Sequence, residues 1–192
     1  ADAEILESPK LLRWYGINMI PSKKSVGIPL GLENADMWHR TNFRIIMKAR
    51  KKKKTKLLYT YFNTDTNIDR SDAKATLLSN GFEPQQRVEW GEYIEEVSQY
   101  KFCACPEGRG VDTHRMWECL YLGVIPVVVK NPVLFQWFSD LPILWVQSMQ
   151  EVTPNFLRSV RIRTRSLSDS EKYLITIDNI RRSIRGDFRD EK

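Results

Sequence analysis

The polar side chains best suited to holding an anionic ligand crowd into the stretch 101–129, KFCACPEGRGVDTHRMWECLYLGVIPVVV: Glu107, Arg109, Asp112, Thr113, His114, Arg115 and Glu118. Gly108 and Gly110 flank Arg109, and glycine lets a backbone approach a ligand closely and turn its amides toward phosphate oxygens. Arginine can fork two oxygens at once, so Arg109 and Arg115 suit a diphosphate. Glu118 follows one helical turn on, where an ionised carboxylate can accept hydrogen bonds from ribose hydroxyls. A second polar loop, 63–70 (NTDTNIDR), adds Asn63 and Arg70. The chemistry implied is capture of a nucleoside diphosphate by Arg70, Gly108, Arg109, Gly110, Arg115 and Glu118, with Asn63, Thr113 and His114 as further candidates in the same two loops. No residue stands out as the catalytic group.

Each of these residues also has a plainer reading. Glu118 with Arg115 or His114 forms a helix-surface pair by i, i+3 and i+4 spacing. Asp112 or Thr113 suits a helix N-cap, Arg70 a solvated helix start, and Asn63 and Asn67 a turn. What raises the binding reading is that two loops in corresponding positions carry such groups together. Other chemistries lack support. The two histidines form neither HxxxH nor HxH, no metal site is expected, and neither GxSxG nor GxxxxGK[ST] occurs. Cys119 lies near His114 in sequence but is expected inside helix packing rather than as a nucleophile.

For the two loops to act together they must open at one edge of one sheet. LLYTYF (57–62) reads as a strand, 70–79 as a helix stopped by Asn80-Gly81, and 90–100 as a helix with Tyr93, Val97 and Tyr100 on one face. FCACP (102–106) reads as a short buried strand, and 113–122 as a helix closed by Gly123. The continuous apolar run 124–129 suits a parallel strand covered on both faces. A helix over 132–139 and a strand over 142–146 follow. Helical spacing also covers part of 36–47, and a closing helix spans 171–184. The first 35 residues look irregular. Repeated β-α-β units predict an α/β fold, a Rossmann-like doubly wound parallel sheet with right-handed crossovers. Such sheets bind ligands outside the carboxyl ends of their strands. The expected organisation is 1–35 as an interdomain piece or remnant of an N-terminal domain, 36–165 as the nucleotide-binding domain, and 166–192 as a C-terminal helix and tail.

The net charge of +6 invites a nucleic-acid partner, but its distribution argues against one. The excess sits mainly in Arg50–Lys54 with Lys56, and in Arg158, Arg161, Arg163 and Arg165; short runs of this kind usually form solvated loops. The six tryptophans form no aromatic stripe among basic residues. A hydrophobic share of 42% and a charged share of 28% fit an ordinary globular protein, and no apolar run is long enough to span a bilayer. Three cysteines, Cys103, Cys105 and Cys119, cannot all pair within the chain and read as buried free thiols. With no Asn-x-Ser/Thr sequon, this favours a reducing, cytoplasmic setting; a Golgi lumen stands as the alternative if an N-terminal anchor has been removed.

CPEGRGVDTHRMWECLYLGVIPVV closely resembles the C-terminal motif of exostosin-like glycosyltransferases, especially viral and microbial ones. FNTDTNIDR, GIPLGLEN near 30 and DLPILWV near 140 resemble segments those proteins place around it, so the likeness covers about 8–157. Glu107 departs from the pattern, since relatives often carry Arg there. The resemblance implies a GT-B glycosyltransferase with two Rossmann-like domains, of which this chain supplies the donor-binding one and an N-terminal domain is missing. It implies a nucleotide sugar such as a UDP- or GDP-sugar as substrate, a glycan or glycoprotein acceptor, and no cofactor or essential metal. Glu118 would hold the ribose. Arg70 and Arg109, with Arg115, would neutralise the diphosphate, and Thr113 and His114 would line the pocket. The general base would come from the other domain. The alternatives are a fucosyltransferase-like enzyme and a non-catalytic polyanion- or nucleic-acid-binding module.

Overall fold

The computed structural model describes residues 2–33 and 43–162. The opening, expected to be irregular, forms α1 (Asp2–Glu7) and two three-residue strands, β1 (Trp14–Gly16) and β2 (Ser25–Gly27), paired in parallel with Trp14 opposite Ser25. Strands this short carry no readable period of two. Side chains close the turn between them: the Ser22 and Ser25 hydroxyls each accept from the other's backbone amide, and Asn18 takes a φ of 53°.

From residue 43 on, helices and strands alternate as expected: α2 (Phe43–Ala49), β3 (Lys56–Tyr59), α3 (Asp69–Ser79), α4 (Trp90–Val97), β4 (Tyr100–Ala104), α5 (His114–Leu122), β5 (Ile125–Val129), α6 (Pro132–Phe138), β6 (Leu144–Val146), a 3-10 turn (Met149–Glu151) and α7 (Pro154–Ser159). Several boundaries differ from the sequence reading: β4 ends at Ala104 rather than at 106, and β6 begins at Leu144 rather than at 142. β3 stops at Tyr59 because the amides of Thr60 and Tyr61 donate to the Gln85 side chain instead of a neighbouring strand. Tyr100 opens β4 rather than closing α4. The helical segment at 36–47 is seen only as α2, since 34–42 lie outside the described residues, as does the expected closing helix 171–184.

The four strands β3-β4-β5-β6 form one all-parallel sheet in that order, with Leu58 opposite Phe102, Phe102 opposite Ile125, and Val127 opposite Leu144. Alternation along each strand sends side chains to two apolar layers. Tyr59, Cys103, Cys105 and Val128 pack with α2, α4, α5 and α6. Leu58, Phe102, Ala104, Ile125, Val127 and Val146 pack with Leu77 of α3 and Leu157 of α7. This two-sided cover explains why β5 is apolar throughout. The fold is therefore α/β and Rossmann-like, with helices on both faces of a parallel sheet. Local signals end the helices as expected: Gly123 closes α5 at φ 66°, and Asn80 with Gly81 at φ 89° closes α3. Among the described residues no helix is long and apolar enough to cross a membrane.

Candidate functional site

The loops after β3 and β4 lie side by side at the carboxyl edge of the sheet, and a cleft of about 790 Å³ opens over them. All nine residues expected from the sequence line it: Asn63, Arg70, Gly108, Arg109, Gly110, Thr113, His114, Arg115 and Glu118. Arg70 is what binds the two loops together. It is buried, and its Nε donates to Glu107 O at 2.7 Å, Nη1 to Asn63 O at 2.8 Å and Nη2 to Pro106 O at 3.0 Å. The reading of Arg70 as a solvated helix start is thus replaced by that of a clamp holding a charge behind the loops. Burial, and then the nearby Arg115, press its guanidinium below the usual range. The asparagines form turns: Asn63 Oδ1 accepts from Asp65 N and Asn67 Oδ1 from Asp69 N, while Asn67 Nδ2 reaches Gly108 O.

Glu118 is not a helix-surface residue. It is 6% exposed, and its carboxylate accepts from Trp90 Nε1 and from Tyr93 Oη, each at 2.9 Å. Two aromatic donors on α4 thereby fix its orientation at the floor of the cleft, and each oxygen keeps a lone pair for a further donor. Arg115 lies over the Tyr93 ring at 4.9 Å and points Nη1 at Cys103 Sγ, 3.8 Å away. Among the described residues Arg70, Arg109 and Arg115 form no salt bridge with a carboxylate, though the nearby Glu118 favours the charged form of Arg115. The Tyr59 hydroxyl, buried beside this floor, has no partner among the described residues.

The second wall comes from the opening segment, which the sequence reading set apart from the domain. Asn18 Oδ1 accepts from Asp112 N at 3.0 Å, Asp112 Oδ2 accepts from Leu30 N at 2.8 Å, and His114 Nδ1 lies 2.8 Å from Gly31 O. Trp137 Nε1 of α6 donates to Met19 O. Asp112 is therefore a buried anchor rather than a cap; its Oδ1 also accepts from Trp117 Nε1 at 2.6 Å. Burial raises its pKa from 3.8 to about 6, against the pull of those hydrogen bonds. Thr113 occupies the N-cap position of α5 without a side-chain capping bond. Gly108 and Gly110 are tightly approached by side-chain ends: a Cβ would come within 3.1 Å of Arg70 Nη2 and 2.8 Å of Asn18 Nδ2 respectively, so either neighbour would have to shift. Glu107, the departure from the resembling pattern, turns its side chain to Asn131 Nδ2, the N-cap residue of α6.

The three cysteines are free and buried, as expected, with their sulfurs within 4.8 Å of one another between β4 and α5. Sequence reasoning missed Asn18, Glu33, Tyr59, Trp90 and Tyr93 as cleft residues. The signal was weakest for Trp90 and Tyr93, whose i, i+3 spacing reads as an apolar face although both carry a polar tip. Fold and cleft together define a Rossmann-like α/β protein with a polar, arginine-rich cleft at the carboxyl edge of its sheet. No protein-family model and no curated protein matches the chain.

Proposed function

We propose that this chain is the donor-binding part of an exostosin-like glycosyltransferase of the GT-B kind, passing a sugar from a nucleoside diphosphate to a glycan hydroxyl. The observation carrying the reading is the composition of the cleft: three guanidinium groups that form no salt bridge among the described residues, a glycine-flanked loop, and a rigidly held carboxylate with spare lone pairs. A diphosphate gains negative charge as it leaves, and cations fixed beforehand stabilise that charge without reorganising. Glu118 suits the ribose hydroxyls and Arg109 with Arg115 the diphosphate, while Arg70 adds its charge from behind the loops. The sugar itself would lie toward the wall formed by Asn18, Leu30 and Glu33.

Calorimetry with a panel of UDP- and GDP-sugars tests this and separates it from a fucosyltransferase-like donor preference. At least one sugar nucleotide should bind. Arg109→Ala should weaken that binding about tenfold, the effect of losing one charge-assisted hydrogen bond. Arg109 is the clean probe because it is exposed and holds no structural hydrogen bond among the described residues. A chain that binds none of the panel is not a donor-binding domain.

A further inference from the structure

Glycosyl transfer to a hydroxyl with inversion needs a group that accepts the hydroxyl proton, and the cleft narrows the choice. Two of its carboxylates are already engaged. Asp112 is 3% exposed with each oxygen accepting a hydrogen bond, and Glu118 is held at the floor by Trp90 and Tyr93. His114 differs. A carbonyl oxygen can only accept, so the 2.8 Å contact with Gly31 O places a proton on Nδ1 and leaves Nε2 with its lone pair. Nε2 has no partner among the described residues, and the half-buried ring lines the cleft. The carbonyl that orients it belongs to a glycine at φ 70°, a backbone shape that favours glycine. Tautomer and ring direction are thus set by the protein before any substrate arrives.

We infer that His114 is the general base of the transfer reaction, so that the base lies within this chain rather than in a separate domain. The inference rests on the glycosyltransferase reading. The acceptor oxygen bonds to the anomeric carbon as its proton passes to His114 Nε2. The bond from that carbon to the diphosphate oxygen breaks, and its electron pair leaves with the diphosphate toward Arg109 and Arg115. The products are a glycoside of inverted configuration, a nucleoside diphosphate and an imidazolium that returns its proton to water. The charged groups sharing the cleft with the imidazole are Asp112 and Arg115 beside it on the chain, Arg109 on the loop, Glu118 on α5, Arg70 on α3, Arg87 ahead of α4, and Glu33 on the opposite wall.

The decisive variant is His114→Asn, whose amide can keep the hydrogen bond to Gly31 O but has no basic nitrogen. At saturating donor, the rate of transfer, or of donor hydrolysis with water as acceptor, should fall at least about a hundredfold. Added imidazole should restore part of the lost rate in the variant. A His114→Asn rate within about fivefold of wild type overturns the assignment. So does a Glu33→Gln variant that alone abolishes turnover, which would move the base to Glu33. A wild-type chain that binds a sugar nucleotide yet neither transfers nor hydrolyses it also overturns it, because the base is then not here. Failure to bind any sugar nucleotide is a separate result and refutes the donor-site reading itself.

Discussion

Asp112 joins three parts of the molecule through one side chain: the glycine-flanked loop, the Leu30 segment and Trp117 of α5. Its folded pKa of about 6 lies above the ordinary 3.8, so the folded state holds this proton more tightly than the unfolded chain does. Stability must then fall as pH rises from about 4 to about 6, and the penalty is complete above that window. The gap between 3.8 and about 6 corresponds to on the order of 3 kcal/mol. Urea denaturation across this range should show the decline, and Asp112→Asn should flatten it, at the cost of one of the two side-chain hydrogen bonds. A wild-type curve that is flat between pH 4 and 6 refutes the assignment. None of this is legible in the sequence, where Asp112 reads as a helix cap. The buried partners that decide its role come from Leu30, far away in the chain, and from the indole nitrogen of Trp117. Glu118 makes the same point. Spacing offered it Arg115 and His114, whereas the folded chain gives it Trp90 and Tyr93. A Glu118→Ala change would leave those two donors unpaired, so loss of binding in that variant would mix with loss of stability.

At the scale of elements, sequence reading succeeded wherever a local pattern dictates the outcome. Glycine closes α5, Asn80-Gly81 closes α3, and the unbroken apolar run of β5 announces a strand covered on both faces. The convergence of the 63–70 and 107–113 loops followed from the general rule that parallel strands present their carboxyl ends at one edge. The docking of 14–33 had no such signal, because its strands are too short to show a period and its contacts are non-local. That segment is held by particular fits, and Gly27 on β2 is the tightest. A Cβ there would sit 2.4 Å from Trp137 Cγ, on an indole already fixed by its bond to Met19 O. The indole cannot withdraw without breaking that bond. Gly27→Ala should therefore cost about 1–3 kcal/mol, as overpacking does, and should expose 14–33 to limited proteolysis before the sheet domain unfolds. Because this segment supplies one wall of the cleft and the carbonyl that orients His114, donor affinity should fall in the same variant. Unchanged proteolysis and unchanged thermal stability would show that the segment is not held by this fit.

At the scale of the whole molecule, two basic regions of the described residues lie at opposite edges of the sheet. The arginines of the cleft stand at the carboxyl ends of β3 and β4. The basic run 50–54 leads into the amino end of β3, and there Lys52 pairs with Glu95 and Lys54 donates to Ser98 O. The two basic regions are therefore independent in function if the cleft is a donor site, and this separates the proposed reading from that of a polyanion-binding module. A ligand present at about 100 times its Kd stabilises the folded state by about 2.7 kcal/mol, which for a chain of this length raises the melting temperature by roughly 5–10 °C. A saturating sugar nucleotide should produce that shift. Replacing the exposed Lys51 and Lys53 by Gln should leave the shift intact, since neither residue lines the cleft, whereas Arg109→Ala should reduce it. A polyanion such as a sulfated glycan should stabilise the protein weakly and in a steeply salt-dependent way, because it acts through displaced counterions. The opposite pattern, with polyanion stabilisation lost on removing the lysines and no response to any sugar nucleotide, would place the working surface at the amino edge and leave the cleft without its ligand.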